Sequence, residues 1–382
     1  MKIAIEADAL TNGDNTGVYF YVSKLLAALV VSDDTNQYEF VYFDSTGEKA
    51  KRLKQFGRIS TRSIKWLPRR VYSLLLRVPP LTPPIDLVSG VSADVWLFPN
   101  FVRWPLLKSR GTKSVVIIYD TAYLDHPETL ETKHHQLYLK QTVPRSIAKA
   151  SAVVAISEST KRDLIRHYRT PADKITVITP AVDHKLFTPA SSTETRQVQA
   201  KYHITGAYIL YLGTIEPRKN LIALLRAYAA LPAKLQQTHQ LVLAGKTGWQ
   251  DEAINELIAQ LGDRVIKTGY LDDEADKARL YSGAAVFVFP SLFEGWGMPP
   301  LEAMACGAPV IVADNSSLPE VVGEAGIRVS AQNPAALVAA IESVLTDAKQ
   351  AAAMRQKGFI QAKKFTWDKS AQQLKKLIET IP

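Results

Sequence analysis

Short apolar runs and longer stretches with apolar residues at helical spacing alternate along almost the whole chain. Lys2–Ile5, Tyr38–Phe43, Val95–Phe98, Ser114–Ile118 and Ala152–Ile156 read as strands, and Tyr19–Val31, Glu131–Lys149 and Glu158–His167 read as helices among them. The segment Asp183–Tyr202 is polar and loses the period, which marks a boundary. A second series then follows, with strands at Tyr208–Leu212, Gln240–Ala244, Val265–Thr268, Val286–Phe289 and Val310–Val312. Repeated strand-then-helix alternation predicts parallel sheets flanked by helices, an α/β fold. Two such series imply two Rossmann-like domains, residues 1–185 and 186–365, with a cleft between them, and a closing helix over Thr366–Ile381.

Composition agrees with a globular chain of two or three domains: 382 residues, 47% apolar and 22% charged. No apolar run is long enough to span a membrane. The opening MKIAIEADAL is too short in its apolar part for a signal peptide and reads as a first strand. The one cysteine, Cys306, excludes internal disulfides and a cysteine-based metal site, reads as a small core residue, and fits a cytoplasmic setting.

Charge changes the picture at one place. The net charge is +9, and Lys49–Ile85 alone holds ten Lys or Arg with no Asp or Glu. Leu67, Val71, Leu74, Leu75 and Val78 share a helical face there, Arg69, Arg70 and Arg77 group on another, Pro68 opens the helix, and Trp66 lies at its edge. Such a helix predicts either contact with an anionic membrane surface, peripheral to the inner face of the plasma membrane, or an apolar stripe packed on its own domain. No basic-plus-aromatic motif accompanies the charge, so nucleic acid is not an expected partner.

The candidate chemistry is concentrated in the second series. Ser291–Ile311 reads SLFEGWGMPPLEAMACGAPVI, with Glu294 and Glu302 eight positions apart around the turn Gly295-Trp296-Gly297-Met298-Pro299-Pro300. Glu294 falls in a loop after a strand. Glu302 falls in the first turn of the next helix, since Pro299 or Pro300 suits the first helical position. Carboxylates outside the carboxyl ends of parallel strands suit a hydroxyl-rich ligand, although a capping and a solvated Glu would leave the same pattern. Gly213–Leu221, GTIEPRKNL, likewise joins a strand to a helix. Asn220 reads as an N-cap, and Arg218 and Lys219 then flank a helix N-terminus, an anion site suited to a diphosphate.

In the first series, Asp8–Gly17 holds Asn12-Gly13-Asp14-Asn15-Thr16-Gly17, whose backbone N–H groups can approach an anion. It lacks the glycine spacing of a dinucleotide fingerprint, and no P-loop occurs. Tyr119 and Asp120 end a strand near the cleft, Asp120 serving equally as a turn cap. The seven histidines show no metal-ligand spacing, and no metal or cofactor is expected.

With these residues in place, the chain resembles glycosyltransferase family 4, retaining nucleotide-sugar transferases of the GT-B fold. The resemblance is most specific at FEGWGMPPLEAMACGAPVI, strong at GTIEPRKNL, TGYLDDEADKARLYSGAAVFVFPSL and SLPEVVGEAG, and extends to NTGVYFY, LFPNF, SAVVAISESTKRDL and ITVITPAVD. It implies a donor domain at the C-terminal side and an acceptor domain at the N-terminal side, completed by a helix at about 366–382 that crosses back. Glu294 is implied to hold donor-sugar hydroxyls, Glu302 the ribose, Arg218 and Lys219 the diphosphate, and Gly17 the phosphates through its backbone. The backbone around Gly269, Tyr270 and Leu271 is implied to meet the base, and Gly213, Thr214, Gly295, Trp296, Gly297 and Met298 to line the donor site. Tyr119 stands where many members carry His, and Thr214 where several carry Arg. The implied reaction is metal-independent transfer of a hexose, mannose from GDP-mannose in particular, to a lipid-linked or polysaccharide acceptor of a surface glycan. A UDP-hexose donor and a catalytically silent nucleotide-sugar-binding partner are the alternatives.

Overall fold

The computed structural model describes residues 1–11, 17–57, 59–78, 81–107, 111–129, 132–249 and 252–381. The chain divides into two units, Met1–Pro180 together with Trp367–Pro382, and Ala181–Thr366.

In the first unit seven parallel strands are ordered β3-β2-β1-β4-β5-β6-β7. They are β1 (Lys2–Glu6), β2 (Gln37–Phe43), β3 (Ser60–Ile64), β4 (Val95–Phe98), β5 (Lys113–Ile118), β6 (Ala152–Ala155) and β7 (Ile175–Val177). Chain order reverses between β1 and β4, which pair directly through Ile3–Val95 and Ile5–Leu97. The central strands are buried end to end because helices cover both faces of a parallel sheet. Phe43, Tyr72, Trp96, Phe98 and Trp104 form the aromatic part of the core on one face. On the other, the helix Trp367–Thr380 packs along Gly17–Ser32. Trp367 meets the Tyr21 ring at 5.9 Å, the Ser370 hydroxyl donates to the Thr179 carbonyl, and Lys375 pairs with Asp33 at 2.9 Å.

The second unit has six parallel strands ordered β10-β9-β8-β11-β12-β13: β8 (Ala207–Leu212), β9 (His239–Ala244), β10 (Val265–Gly269), β11 (Val286–Phe289), β12 (Val310–Ala313) and β13 (Ile327–Val329). Here the order reverses between β8 and β11, paired through Ile209–Val286 and Leu210–Phe287. In both sheets the crevice at such a reversal, at the carboxyl ends of the strands, is the place where a doubly wound fold takes a ligand.

The polar segment Asp183–Tyr202, read as a boundary, contains a helix, Ser192–Lys201, opened by a reciprocal capping box of Ser191 and Glu194. Its only buried residue is Val198, so it shows almost no apolar period. The basic helix covers only Arg69–Leu75, and Pro68 lies just before its first turn. Tyr72 and Leu76 face the core and, of the expected stripe, Leu67 packs against it, while Leu74 is 61% and Trp66 68% exposed, with Val71 and Val78 also exposed. Arg69 reaches inward to Asp8, Nε to Oδ2 at 2.5 Å, with its side chain still 41% exposed. Among the described residues no helix is long and apolar enough to cross a membrane.

Candidate functional site: the switch point of the second sheet

The loops that leave β8 and β11 meet because their strands are neighbours. After β8 the chain passes Gly213 and Thr214, and the Tyr211 hydroxyl donates to the Thr214 carbonyl at 2.9 Å. Gly245, leaving β9, crosses this loop so closely that a Cβ there would lie 2.0 Å from the Gly213 carbonyl oxygen, and its φ of +139° also favours glycine. Pro217–Lys219 is a single 3-10 turn, ended by Asn220 in the left-handed region, and the helix Leu221–Ala229 begins after it. Asn220 is therefore not a side-chain cap. Its Nδ2 donates instead to the Pro290 carbonyl at 3.2 Å, and the Leu292 N–H donates to the Arg218 carbonyl at 2.8 Å. These bonds fasten the two loops together.

Their side chains form a closed ionic cluster. Glu294 is 9% exposed; its Oε1 accepts from Lys219 Nζ at 2.6 Å and its Oε2 from Arg218 Nη1 at 3.0 Å. Arg218 also donates to the Phe293 carbonyl at 2.9 Å and, through Nη2, to Glu216 Oε1 at 2.7 Å. Glu216 is a member that sequence reasoning missed; an acid directly before Pro-Arg-Lys in a buried loop is the signal for it. Two carboxylates and two cations leave the cluster formally neutral, as burial requires. Burial alone would raise the Glu294 carboxyl, but Arg218 and Lys219 override it and hold it at about 2. Lys219 is pushed down by burial and by Arg218, against the pull of Glu294 and Glu216, and its ammonium lies 5.2 Å over the Phe289 ring. The Glu294 backbone is also fixed: its N–H donates to Ser316 Oγ and its carbonyl accepts from Ser317 Oγ.

Glu302 belongs to a different cluster. The helix Met298–Ala305 starts from Gly297, which has φ +118° and whose Cβ would stand 2.8 Å from Leu318 Cδ2. This early start puts Glu302 at the beginning of the second turn, not in the first as the prolines suggested. The Tyr281 hydroxyl donates to Glu302 Oε2 at 3.0 Å. Burial raises the Glu302 carboxyl to about 7, with Lys277 and the Tyr281 bond opposing and Glu274 assisting.

The remaining donor-site residues divide. Thr214, Gly295 and Met298 are partly exposed, and Tyr270, just past β10, is 46% exposed, whereas Leu271 is buried. The Trp296 side chain is buried at 3% exposure, with its ring 5.2 Å from that of Phe365.

In the first unit Tyr119 is also turned into the core. Its hydroxyl donates to the Pro99 carbonyl at 2.5 Å, its ring contacts Tyr21 and Phe101, and burial pushes the phenol well above its ordinary range. A side chain so held serves packing here, with its hydroxyl already engaged by the Pro99 carbonyl. Asp120 Oδ1 accepts from the Ala122 N–H at 3.0 Å, the turn-cap alternative. Gly17 opens the helix Gly17–Ser32, and Asn12–Thr16 of the preceding loop lie outside the described residues. One grouping was not visible in sequence: Asp125, Asp163 and His167 come within reach of one another, but Arg166 already bridges both carboxylates.

Comparison with known proteins extends this picture. Residues 193–361 match the family model "Glycosyl transferases group 1" and residues 30–186 match "Glycosyltransferase Family 4". The O-antigen chain mannosyltransferase B of Escherichia coli is 35% identical over 274 residues, 71% of this chain and 70% of that protein. The serotype-specific mannosyltransferase WbdA of Escherichia coli is 34% identical over 266 residues, 68% of this chain but only 32% of that protein. The crystal structure of HepE from Anabaena in complex with UDP and glucose superposes over 100% of both chains with a TM-score of 0.73 at 18% identity, a likeness of fold. The chain carries both halves of one family's pattern in order, and it belongs to glycosyltransferase family 4.

Proposed function

We propose that the protein is a retaining hexosyltransferase that moves mannose from GDP-mannose onto a growing surface glycan. The observation that carries this reading is the buried Arg218–Glu294–Lys219 cluster at the reversal point of the second sheet. The mannosyltransferase named above, at 35% identity, supports the choice of sugar.

The chemistry follows from charge. The acceptor oxygen bonds to the anomeric carbon as the bond from that carbon to the phosphate oxygen breaks, and the acceptor proton passes to a phosphate oxygen. Glycoside and nucleoside diphosphate are the products. Negative charge grows on the departing diphosphate, and Arg218 and Lys219, already fixed in a low-dielectric site, stabilise it most in the transition state. With two fixed cations in that role, transfer runs without a divalent ion. As donor enters, Glu294 yields part of its hold on the cations to the phosphates and takes sugar hydroxyls in exchange.

The test is incubation with a panel of GDP- and UDP-hexoses, in EDTA, with a glycan acceptor, and detection of glycoside and free nucleotide. GDP-mannose should give the fastest acceptor-dependent release. A UDP-hexose preference would overturn the donor assignment, and binding without turnover on any acceptor would overturn the enzyme. The exposed Trp66, Leu74 and Val78 beside Arg70 and Arg77 support an acceptor presented at an anionic bilayer, so the same panel is run with and without anionic vesicles. Equal rates and no sedimentation with the vesicles would remove that part.

Glu302 adds a pH dependence. A carboxyl raised to about 7 by burial is mostly neutral at pH 6 and mostly ionised at pH 8. An ionised carboxylate accepts ribose hydroxyls more strongly than a neutral acid does. Nucleotide affinity should therefore rise from pH 6 to 8 in the wild type more than in Glu302→Gln, a comparison that cancels the titration of the nucleotide's own phosphate. Equal slopes would remove Glu302 from the ribose. The effect on the free protein has the opposite sign. A folded-state value above the ordinary carboxylate range stabilises the fold at low pH, and that stability is lost as pH rises through 7.

A further inference from the structure

The turn that carries Glu294 has no regular structure of its own. Between Phe289 and Met298 the chain forms neither helix nor strand, yet Ser291 is fully buried and Glu294 nearly so. Buried backbone groups need partners, and a segment outside helix and sheet must find them in its neighbours. On one side the partners are Asn220 and Arg218, as described above. On the other they are supplied by residues 314–317, the loop that leaves β12 beside β11.

Three side chains of that loop act in series. Asn315 Nδ2 donates to the Ser291 carbonyl at 3.0 Å. A carbonyl only accepts, so the amide nitrogen faces it, and Oδ1 is left to accept the Ser316 hydroxyl at 3.0 Å. That bond uses the single proton of Ser316, whose oxygen is thereby turned to accept the Glu294 N–H at 3.0 Å. Ser317 is fully buried, and its hydroxyl donates to the Glu294 carbonyl at 2.9 Å and to the Trp296 carbonyl at 2.5 Å. The N–H and the carbonyl of Glu294 are thus held by adjacent serines. Ser316 keeps this place at φ +48°, in the left-handed region that few side chains other than Asn or Asp enter. A backbone cost retained beside a functional carboxylate points to a use for the hydroxyl that it delivers.

We propose that Ser316, oriented by Asn315 and backed by Ser317, is a positioning residue that sets which donor sugar is accepted. Several rotatable bonds separate the Glu294 carboxylate from its backbone, so a backbone free to drift would let it meet epimeric hydroxyls alike. With its N–H and carbonyl held, the carboxylate passes from the cations to the sugar by side-chain rotation alone. An epimer whose hydroxyl points elsewhere then loses the contact. This role rests on the transferase reading above and on Glu294 facing the sugar.

Ser316→Ala and Ser316→Gly are compared with the wild type as full chains, alongside Val344→Ala, a core variant in the helix Pro334–Thr346. Initial rates are measured with the preferred nucleotide hexose, GDP-mannose on the reading above, and with its C2 epimer. Calorimetry gives the affinity of the free nucleotide. Both Ser316 variants should lose about tenfold or more in kcat/KM for the preferred donor, with nucleotide affinity within about threefold of wild type. The advantage of that donor over its epimer should shrink by about fivefold or more. Stability should separate the two variants: Gly accepts the positive φ and Ala does not, so Ser316→Gly should unfold at the higher temperature yet be no more active. Val344→Ala should lower the unfolding midpoint and keep the wild-type preference between donors. Wild-type kcat/KM and preference in Ser316→Ala, activity regained in Ser316→Gly, or an equal loss of preference in Val344→Ala would overturn the role. So would a nucleotide affinity that falls in step with transfer, because the loop would then support the whole site and not the sugar contact. A wild type that turns over no donor fails the transferase reading alone. Crystal structures of the wild type and Ser316→Ala then decide the positioning: Glu294 displaced from Arg218 and Lys219 in the variant supports it, and Glu294 unmoved overturns it.

Discussion

Glu294→Gln is expected to lower hexose transfer by about 100-fold or more, the scale seen when one preorganised polar partner of a transition state is removed. The side chain keeps its shape, so the loss would come from charge. Lys219 is already pushed below its ordinary value by burial and by Arg218, and Glu294 is the largest influence holding it up. Without that carboxylate the ammonium loses the largest influence that favours its charged form, so nucleotide affinity in the variant should improve more than in the wild type as pH falls. Single-turnover rates and GDP titrations between pH 6 and 9 measure both effects. A variant within tenfold of wild-type transfer would mean that Glu294 is a structural counter-ion only.

Lys219→Met has the second largest expected effect, divided between binding and stability. Loss of a charge-assisted contact to the diphosphate should weaken GDP by about 10- to 100-fold. The fold should suffer too, because a buried carboxylate loses one of its two cations. With Arg218 still on Glu294, the cost should be about 1–3 kcal/mol, less than for a pair broken outright. At about 2–4 °C per kcal/mol for a unit of this size, the unfolding midpoint should drop by several degrees. The double variant Lys219→Met/Glu294→Gln should regain part of that drop, since it removes the unpaired charge as well. Wild-type GDP affinity in Lys219→Met would take Lys219 out of the phosphate site, and a further fall in the double variant would contradict the ionic account.

The parallel architecture was legible because its central strands are uninterrupted apolar runs such as Val286–Phe289. The strands that escaped notice are the edges. Ser60–Ile64 reads STRSI and buries only its last residue, while Ile175–Val177 and Ile327–Val329 are three residues long. A strand with one neighbour and one solvated side has no continuous apolar pattern to find. At the site, Arg218, Lys219 and Glu294 were legible as chemistry, but not as one cluster, because their contact depends on β8 and β11 lying side by side. Asn220 was misread because a left-handed Asn that ends one turn occupies the same place in sequence as a cap that begins a helix. The burial of Trp296 and Tyr119 was not legible, because an aromatic near a loop shows nothing in sequence about which way its ring turns.

The return of Trp367–Thr380 to the helix Gly17–Ser32 has a consequence for synthesis. The surface of the first unit that this segment covers, around Tyr21 and Asp33, is translated early and its cover comes after the whole of the second unit. On the ribosome, at about 5–20 residues per second, synthesis of the roughly 186 residues of the second unit alone leaves that apolar face open for about ten seconds or more. The second unit, being contiguous, can fold during that interval, whereas the first reaches its final form only after release of the last helix. A stop codon just before Trp367 would therefore leave the second unit's sequence intact and remove a wall of the first.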